Sequence, residues 1–462
     1  MAEIIHSQWW RPAEPGKVLP GVLFQDDDQC WMLHLDGTFD ELPSAAPSGQ
    51  PVPMTLPDGF PVLLGLTSAN RSITAFGCVT QGGILPLFGR GSLKLRPTVI
   101  AHDVHFEERS DFALTSLSVR YSNLDVWADT SGFTIHTATA SLYPVHVEYS
   151  IPGQVEAKLP NGMSVGVVFS VAGPSLRAVS ELQIVQRAWV IVRAAEDDSY
   201  EDLLQVSTGF ADLISVAVGE PLRPLEISGT CKVSVGGGEI ESKAIVIVDN
   251  REPIAPEKRD VAVRDMLFSL KDIRSRFAEI VLAWFTRSEV IRPLYSLYFG
   301  TLRSPFMYVE YRFLNMFQAL ESYHRRTRVT PLEEVQGYQE RRDRILGAVQ
   351  PADAKWLKRK LDRGFGPSAE QRIRELTEEN RAGWLLDLEA IKLAADMRNF
   401  YTHFSPEVEA RLPPKSDRGR CMHNLAVRLQ VLCEVILLGL VGFPDVRRQI
   451  EKVKRLERRG VL

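Results

Sequence analysis

Apolar residues follow two different periods in the two halves of the chain. Up to about residue 250, short segments alternate between apolar and polar side chains, and glycine, proline, asparagine or aspartate residues separate them. Such segments are CWMLHLDG (30–37), FPVLLGLTS (60–68), RSITAFGCVTQGG (71–83) and SVGVVFSVAG (164–173). Alternation with a period of two between turn residues is typical of a β-sandwich or β-barrel. The pattern therefore predicts a β-rich first half.

One segment of this half breaks the alternation. SYEDLLQVSTGFADLISVAVG (199–219) has apolar residues at helical spacing, which predicts a helix embedded among the strands. KVSVGGGEIESKAIVIV (232–248) then returns to strand-like segments around a run of glycines. This run lacks the lysine and the following helix of a phosphate-binding loop, so the stretch is predicted to be a β-hairpin.

The second half changes to helical periodicity. DNREPIAPEKRD (249–260) is charged, contains two prolines and separates the two patterns, so we place a domain boundary there. Helices are predicted at 258–287, 305–328, 332–348, 368–404, 417–442 and 444–459. The expected fold class is α+β. A β-rich domain, sandwich- or barrel-like, covers 1–250, and an all-α bundle covers 258–462.

Composition narrows the classes of protein further. The formal net charge of -4 gives no overall attraction to polyanions, so a nucleic-acid surface must come from local clusters of lysine and arginine. The five cysteines form no CxxC pair and no cluster with histidine at metal-ligand spacing, and we expect neither a metal nor another cofactor. The amino terminus, MAEIIHSQWW, lacks the basic and apolar segments of an export signal. AVRLQVLCEVILLGLVGF (426–443) is interrupted by Arg428 and Glu434. We therefore expect a cytoplasmic protein without a membrane span, in which 426–443 forms a buried helix.

WLLDLEAIKLAADMRNFYTHF (384–404) holds the candidate chemistry. Its positions 384, 388, 391, 395, 398 and 402 step by threes and fours, which places Arg398 on an otherwise apolar stripe. A guanidinium in that position needs a partner. Ser405 precedes a proline and is biased away from helical backbone, so the helix is predicted to end near His403 or Phe404. A regular helix rotates by about 500° over five residues, so Arg398 and His403 would lie on different faces.

The spacing Arg-x4-6-His is by itself weak evidence of a site. It also occurs from Arg96 to His102 in RPTVIAH and from Arg418 to His423 in RGRCMH. The first of these lies among predicted strands and the second at the start of a helix. Only RNFYTH (398–403) closes a long amphipathic helix and has a polar residue directly after the arginine.

RNFYTH at the end of a bundle helix resembles the R-x4-6-H motif of HEPN-domain ribonucleases. YRFLNMFQALESYHRR (311–326), which carries Glu321, resembles the acidic helix that packs beside that motif. The β-rich half with SVRYSNLDVWADTSGF (118–133), joined to the helical half, resembles ApeA-type anti-phage defence proteins. The resemblance covers nearly the whole chain.

The chemistry of RNA cleavage suits these residues. The 2′-hydroxyl can attack the adjacent phosphate without a metal if a histidine moves the proton and a guanidinium holds the developing charge. We assign the proton transfer to His403 and the phosphate charge to Arg398. By resemblance, Asn399 orients the histidine or the phosphate, and Glu321 holds Arg398 in its working rotamer. Further candidates for RNA binding or support are Tyr401, His324, Arg325 and Arg326.

The resemblance also implies partners. HEPN ribonucleases generally form dimers in which two copies of the motif line one cleft, so a homodimer through the helical domain is expected. The substrate is cellular RNA, with transfer RNA as the first candidate, and a phage protein is the expected trigger at the regulatory β-rich domain. Basic runs at 325–328, 355–363 and 447–459 could hold RNA phosphates, although runs of this kind are usually solvated helix faces.

An alternative from another class remains open. The β-rich domain could bind a carbohydrate or a protein, with the helical bundle serving only for dimerisation. Trp9, Trp10, Trp31 and Trp127 could form an aromatic ligand platform in that case, although tryptophans in a β domain more often pack in its core. The nuclease hypothesis requires that Arg398 and His403 open onto one cleft, whereas the alternative allows them to lie in separate contacts.

Overall fold

The computed structural model describes residues 4–27, 29–39, 56–84, 91–137, 145–178, 181–235, 239–250, 261–304, 306–328, 332–363, 366–443 and 447–458. Their contacts divide the chain into a β-rich unit and a helical unit. The β-rich unit extends to Val218 and includes Leu222–Arg264 and Phe268–Ala278. The helical unit begins at Glu279 and includes Gly219–Pro221 and Asp265–Leu267.

Six antiparallel strands at the start of the β-rich unit close into a barrel. They are β1 (Ile4–Arg11), β2 (Glu14–Gln25), β3 (Trp31–Leu35), β4 (Gly59–Thr67), β5 (Ser72–Ile84) and β6 (Ser92–Arg96). Their order is β4, β1, β2, β3, β6, β5, and the pairing of β5 with β4 completes the circle. Closure leaves no free edge between these strands. The barrel is filled by one apolar cluster, which includes Trp9, Leu33, Phe60, Leu63 and Leu95.

Seven further antiparallel strands continue the same sheet from the barrel wall, and we call this extension the second sheet. Its strands are β7 (Val99–His102), β8 (Ala113–Tyr121), β11 (Val155–Lys158), β12 (Ser164–Ala178), β13 (Glu181–Ser199), β14 (Pro224–Val235) and β15 (Glu239–Asp249). Their order is β7, β15, β14, β8, β13, β12, β11, and β7 pairs with the first half of β5. β9 (Phe133–Thr137) and β10 (Val145–Tyr149) form a separate two-stranded sheet.

A buried asparagine joins the end of β15 to the barrel. The Asn250 side chain accepts a hydrogen bond from the Trp31 backbone N–H at 2.9 Å and donates to the carbonyl oxygens of Trp31 and Pro97, both at 2.8 Å. A buried amide with all these groups paired fixes a single arrangement of the strands it connects. Asn250 therefore fixes the place where the second sheet leaves the barrel.

Helices cover one part of the second sheet. They are α1 (Leu124–Ala128) and α2 (Tyr200–Val218), and α3 (Leu270–Ile273) packs against α1. α2 is the embedded helix that the sequence predicts at 199–219, and it packs on β13 and β8. Trp127 is fully buried, with its ring edge-on to Phe210 and Phe268. Trp9 and Trp31 are buried as well and Trp10 is half-buried, so three of the four tryptophans pack in the core, as expected for tryptophans in a β domain.

The helical unit consists of a bundle around α11. Its helices are α4 (Phe277–Leu302, whose first turn belongs to the β-rich unit), α5 (Val309–Thr327), α6 (Leu332–Gly347), α7 (Pro351–Arg363), α8 (Ala369–Glu379), α9 (Leu388–His403), α10 (Pro406–Glu409), α11 (Lys415–Leu440) and α12 (Arg447–Arg458). α11 is long and apolar enough to cross a membrane, but 67% of its most apolar window is buried inside the protein. It packs against α5 as a core helix, as predicted for 426–443.

The predicted fold class is confirmed, two predicted helices need correction and one helix was missed. The helix expected over 368–404 is two helices, α8 and α9, because the chain turns between them and Arg381 adopts a left-handed backbone with φ 53°. The helix expected over 258–287 is interrupted, because the range holds the short α3 and then the start of α4, which begins at Phe277 and continues to Leu302 through Pro293. α7 was not predicted.

The predicted domain limits, 1–250 and 258–462, stay a prediction. Most of the proposed boundary, residues 251–260, lies outside the described residues, as do the glycines at the tip of the predicted hairpin of β14 and β15. The two strands of that hairpin pair antiparallel up to Val235 and Glu239. All five cysteines are free thiols.

Candidate functional site

α5 turns two ionisable side chains toward the interior of the helical unit. Its buried face is made largely of apolar residues, namely Phe313, Met316, Phe317, Ala319, Leu320 and Tyr323. Glu321 and His324 lie on the same face, and both are buried. A buried carboxylate is stable only when it is paired and hydrogen-bonded. The side chains that pair with the Glu321 carboxylate therefore form the candidate site.

Each oxygen of the Glu321 carboxylate accepts a hydrogen bond from a different arginine. Arg398 of α9 donates from Nη2 to Oε2 at 3.1 Å, and Arg325 donates from Nη2 to Oε1 at 2.9 Å. Arg398 also donates from Nη1 to Oδ1 of Asn399 at 3.1 Å. The Arg398 side chain is 28% exposed and that of Glu321 is 9% exposed. Glu321 thus anchors a guanidinium that still reaches solvent, while Asn399 contacts the arginine instead of a histidine.

The prediction of an apolar stripe that leads to Arg398 is wrong for its first two positions, Trp384 and Leu388. Trp384 precedes α9, which begins after the N-cap residue Asp387, and Leu388 is exposed. The buried face of the helix is formed by Ile391, Ala394, Ala395, Met397 and Phe400. Arg398 lies at the border of this face, where its guanidinium reaches Glu321 on α5.

His403 is the last residue of α9, as the position of Ser405 and Pro406 predicts. Phe404 follows as the C-cap with a left-handed backbone, φ 50°, and its N–H bonds to the carbonyl of Phe400. The His403 side chain is exposed, and it has no hydrogen bond or ion pair within the part of the chain that the structure describes. The imidazole is therefore open to a ligand.

Arg398 and His403 do not meet within one chain. α9 is helical through to His403, so the two side chains leave it about 140° apart. No contact joins them among the residues that the structure describes. Within one chain the two side chains are therefore directed to different faces of α9.

The other two Arg-x4-6-His matches have structural roles for their arginines. Arg96 donates to the carbonyl oxygen of Asn250 at 3.2 Å, next to the barrel junction. Arg418 donates to the Pro413 carbonyl at 2.8 Å and to Glu409 at 2.9 Å, and it lies over the Phe400 ring at 5.4 Å. Arg418 thereby ties the start of α11 to α10 and α9.

α8 supplies contacts that the sequence reasoning missed. His324 Nε2 lies 2.6 Å from Glu375 Oε2, and His324 Nδ1 lies 3.4 Å from Arg372 Nη1. Because arginine can only donate, Nδ1 is the acceptor and Nε2 carries the proton toward Glu375. Burial lowers the pKa of His324, while Glu375 opposes that shift. His324 is 2% exposed, which excludes direct RNA contact and leaves a supporting role.

Aromatic rings surround the end of α9. Tyr401 lies edge-on to Phe400 at 5.1 Å and near Phe404 at 6.2 Å. Burial raises the pKa of the Tyr401 hydroxyl, and the carboxylate of Glu310 adds to the effect. Tyr401 therefore packs in an aromatic cluster beside His403, and the Phe404 ring at its edge is exposed.

Several members of the predicted basic runs are already paired. Arg328 forms an ion pair with Glu379, Lys452 contacts Glu434 at 2.8 Å, and Arg455 contacts Asp265 at 3.4 Å. Arg325 is 61% exposed in spite of its bond to Glu321, and Arg326 beside it is exposed. Arg459 lies outside the described residues. No group of three or more histidine, cysteine, aspartate or glutamate residues suited to a metal ion occurs in the described ranges.

The arrangement defines a class of protein. A β-rich unit that contains a barrel is followed by a helical bundle. In this bundle, a buried glutamate on one helix anchors the arginine of an R-x4-H motif, and the motif ends in an exposed histidine. These features define a protein with a HEPN domain. The chain belongs to the ApeA family. The family model of ApeA N-terminal domain 1 matches residues 5–284, and that of the Apea-like HEPN domain matches residues 314–447. The protein is thus a defence-associated HEPN protein, and HEPN domains generally imply ribonuclease activity.

Comparison with curated proteins and with solved structures finds no match.

Proposed function

We propose that this chain is an anti-phage endoribonuclease that cleaves cellular RNA through its HEPN domain. One observation carries the proposal: buried Glu321 holds the Arg398 guanidinium at the surface of α9, and the same helix ends in an exposed His403 without a partner among the described residues. Arg398 would hold the phosphoryl oxygens with its planar pair of donors. His403 would move a proton at the 2′-oxygen or at the 5′-leaving oxygen.

The chemistry fixes the expected products. The internal 2′-oxygen attacks phosphorus, its proton goes to a base, and the bond to the 5′-oxygen breaks as that oxygen gains a proton. Cleavage then leaves a 2′,3′-cyclic phosphate and a 5′-hydroxyl, with no metal in the reaction. Transfer RNA is the first substrate to test, since its cleavage would stop growth of an infected cell.

The positions of Arg398 and His403 on different faces of α9 favour a dimer. In the proposed assembly, two copies of the chain place their motifs along one cleft, so that the arginine of one copy works with the histidine of the other. Mixing Arg398→Ala and His403→Ala chains under exchange conditions tests this arrangement. Restored cleavage in the mixture, with none in either variant alone, is the expected result. An inactive mixture of variants shown to exchange subunits would rule out the shared cleft.

The central experiment compares purified wild-type protein, His403→Ala and His34→Ala on total cellular RNA, with and without EDTA. His34 is an exposed histidine of β3 and serves as the matched control. We expect cleavage by wild type and His34→Ala in both conditions and none by His403→Ala. The new 5′ ends should accept label from polynucleotide kinase without phosphatase treatment. Full cleavage by folded His403→Ala would refute the assignment.

A further inference from the structure

Glu321 lies at the centre of a group of arginines. Arg325 and Arg398 each take one of its oxygens. Arg372 of α8 reaches His324, which is one helical turn from Glu321 on the same face of α5. Three guanidinium groups from three helices therefore converge on one turn of α5.

The Arg372 guanidinium is held in a place that is costly for a cation. Burial and the positive charge of Arg325 lower the pKa of Arg372, and the carboxylates of Glu321 and Glu375 oppose that shift without cancelling it. Its Nε, like that of Arg374, is buried and has no hydrogen-bond partner among the described residues, but Arg374 has an ion-pair partner in Glu370. A guanidinium that is partly desolvated and incompletely paired binds an incoming anion more strongly than a fully solvated one.

The charges in this group do not balance. Arg325, Arg372 and Arg398 contribute three positive charges, while Glu321 and Glu375 contribute two negative ones. His324 is neutral in the tautomer that its two contacts require. By contrast, the neighbouring pairs Arg328–Glu379 and Arg374–Glu370 are each balanced. One positive charge thus remains at a place where Arg325 and Arg398 reach solvent.

We propose that Arg325 and Arg372 form a second phosphate-binding subsite, which holds the RNA phosphate adjacent to the one that Arg398 binds. The proposal rests on the proposed function. Glu321 serves both subsites, because it fixes Arg398 with one oxygen and Arg325 with the other. His324 and Glu375 are positioning residues in this arrangement, since they hold Arg372 from behind without touching the substrate.

Binding measurements in the His403→Ala background test the subsite without cleavage. The probe is a fluorescein-labelled single-stranded oligoribonucleotide, and Kd is measured by anisotropy over a series of salt concentrations. We expect Arg325→Gln and Arg372→Gln each to raise Kd by about tenfold, as for the loss of a charge-assisted hydrogen bond. The slope of log Kd against log salt should fall by about 0.7 for each arginine–phosphate ion pair that a substitution removes.

Arg374→Gln is the matched control. It lies on α8 two residues from Arg372, and its partner is Glu370 on the same helix. It should change neither Kd nor the salt slope. If Arg372→Gln binds RNA as tightly as Arg374→Gln, Arg372 is not part of a subsite. Arg325 is largely exposed, so Arg325→Gln keeps the test valid even if Arg372→Gln does not fold.

Kinetics separate this inference from the proposed function. In the presence of His403, Arg325→Gln should raise KM with little change in kcat, because an adjacent phosphate is bound alike in the ground state and the transition state. Absence of cleavage by wild type would refute the proposed function. Cleavage that depends on His403 but is indifferent to both Arg325 and Arg372 would overturn only the subsite.

Discussion

Arg398 and Arg418 begin the same Arg-x4-His pattern, and their surroundings distinguish them. The Arg398 side chain is held by Glu321 and Asn399 and remains 28% exposed. The Arg418 side chain is 12% exposed and holds a backbone carbonyl, a carboxylate and the face of an aromatic ring. The first arginine is placed to bind a ligand and the second to hold helices together.

Substituting each arginine by lysine tests that difference. Arg398→Lys should lower RNA cleavage by about a hundredfold, as when a preorganised anion site loses a donor, and should leave stability nearly unchanged. Arg418→Lys should lower the free energy of unfolding by about 2 kcal/mol and leave cleavage per folded molecule intact. Cleavage assays and urea unfolding measure both effects. The opposite pattern would mean that Arg418, with His423, carries the site.

His324 should make stability depend on pH. Burial lowers its pKa in the folded chain below the ordinary value of 6.5, so the unfolded chain takes up the proton first as the pH falls. The contribution of His324 to the free energy of unfolding is therefore fully present above pH 6.5. It decreases as the pH falls below that value and through the lowered pKa of the folded chain. The pKa of the Glu375 carboxyl is also lowered, so its contribution to stability is lost only as the pH falls below its ordinary pKa of 4.5.

The prediction is that Tm falls between pH 7 and pH 5, and falls less in His324→Gln. Glutamine is neutral over this range and can still accept from Arg372 and donate to Glu375. His423, whose pKa burial also lowers, leaves a residual slope in both proteins. Parallel curves of Tm against pH for wild type and His324→Gln would show that His324 does not titrate in this way.

At the scale of elements, the end of α9 could be predicted from the sequence, whereas its start could not. Proline after Ser405 stops the helix at a place that can be read locally. The break before Leu388 is hidden, because the chain from Trp384 onward keeps apolar residues at helical spacing. The structure shows that Leu385 and Leu386 are buried in the connection instead of in a helix. Periodicity does not distinguish a buried turn from a buried helix.

Glu321 was expected from the resemblance as the partner of Arg398, whereas the partners that α8 supplies could not be predicted. Arg372 and Glu375 are about fifty positions from His324 along the chain, and no spacing rule links residues on separate helices. Barrel closure was hidden for the same reason, since it depends on long-range pairing of β4 with β1 and of β3 with β6. The β-rich class itself could be predicted, because alternation is a local property.

The first turn of α9 gives a prediction at this scale. The Asp387 carboxylate accepts a hydrogen bond from the Ala390 N–H at 2.8 Å and caps the helix. Asp387→Ala should lower the free energy of unfolding by about 1 kcal/mol. Lys392→Ala, at an exposed position of the same helix, should have a smaller effect. If urea unfolding shows equal values for the two variants, the helix does not begin at this cap.

At the scale of the whole molecule, the proposed catalytic and regulatory functions belong to different units. The helical unit holds the candidate catalytic residues, while the β-rich unit has no assigned chemistry and is the proposed sensor of infection. Residues 268–278 join the β-rich unit by their contacts, since Phe268 packs on Trp127 and Phe277 on Phe210. A fragment that starts at 258 would carry these two rings without their partners.

We therefore expect the fragment 279–462 to fold and dimerise better than 258–462, and neither fragment to respond to phage if the β-rich unit carries the proposed sensing surface. Either fragment could be constitutively toxic or inert, according to whether the β-rich unit represses the nuclease or helps to assemble it. The measurement is growth of cells that express each fragment, its His403→Ala variant or the full chain, with and without phage. Phage-triggered growth arrest by a fragment alone, as strong as that by the full chain and lost in His403→Ala, would show that the helical unit senses infection by itself.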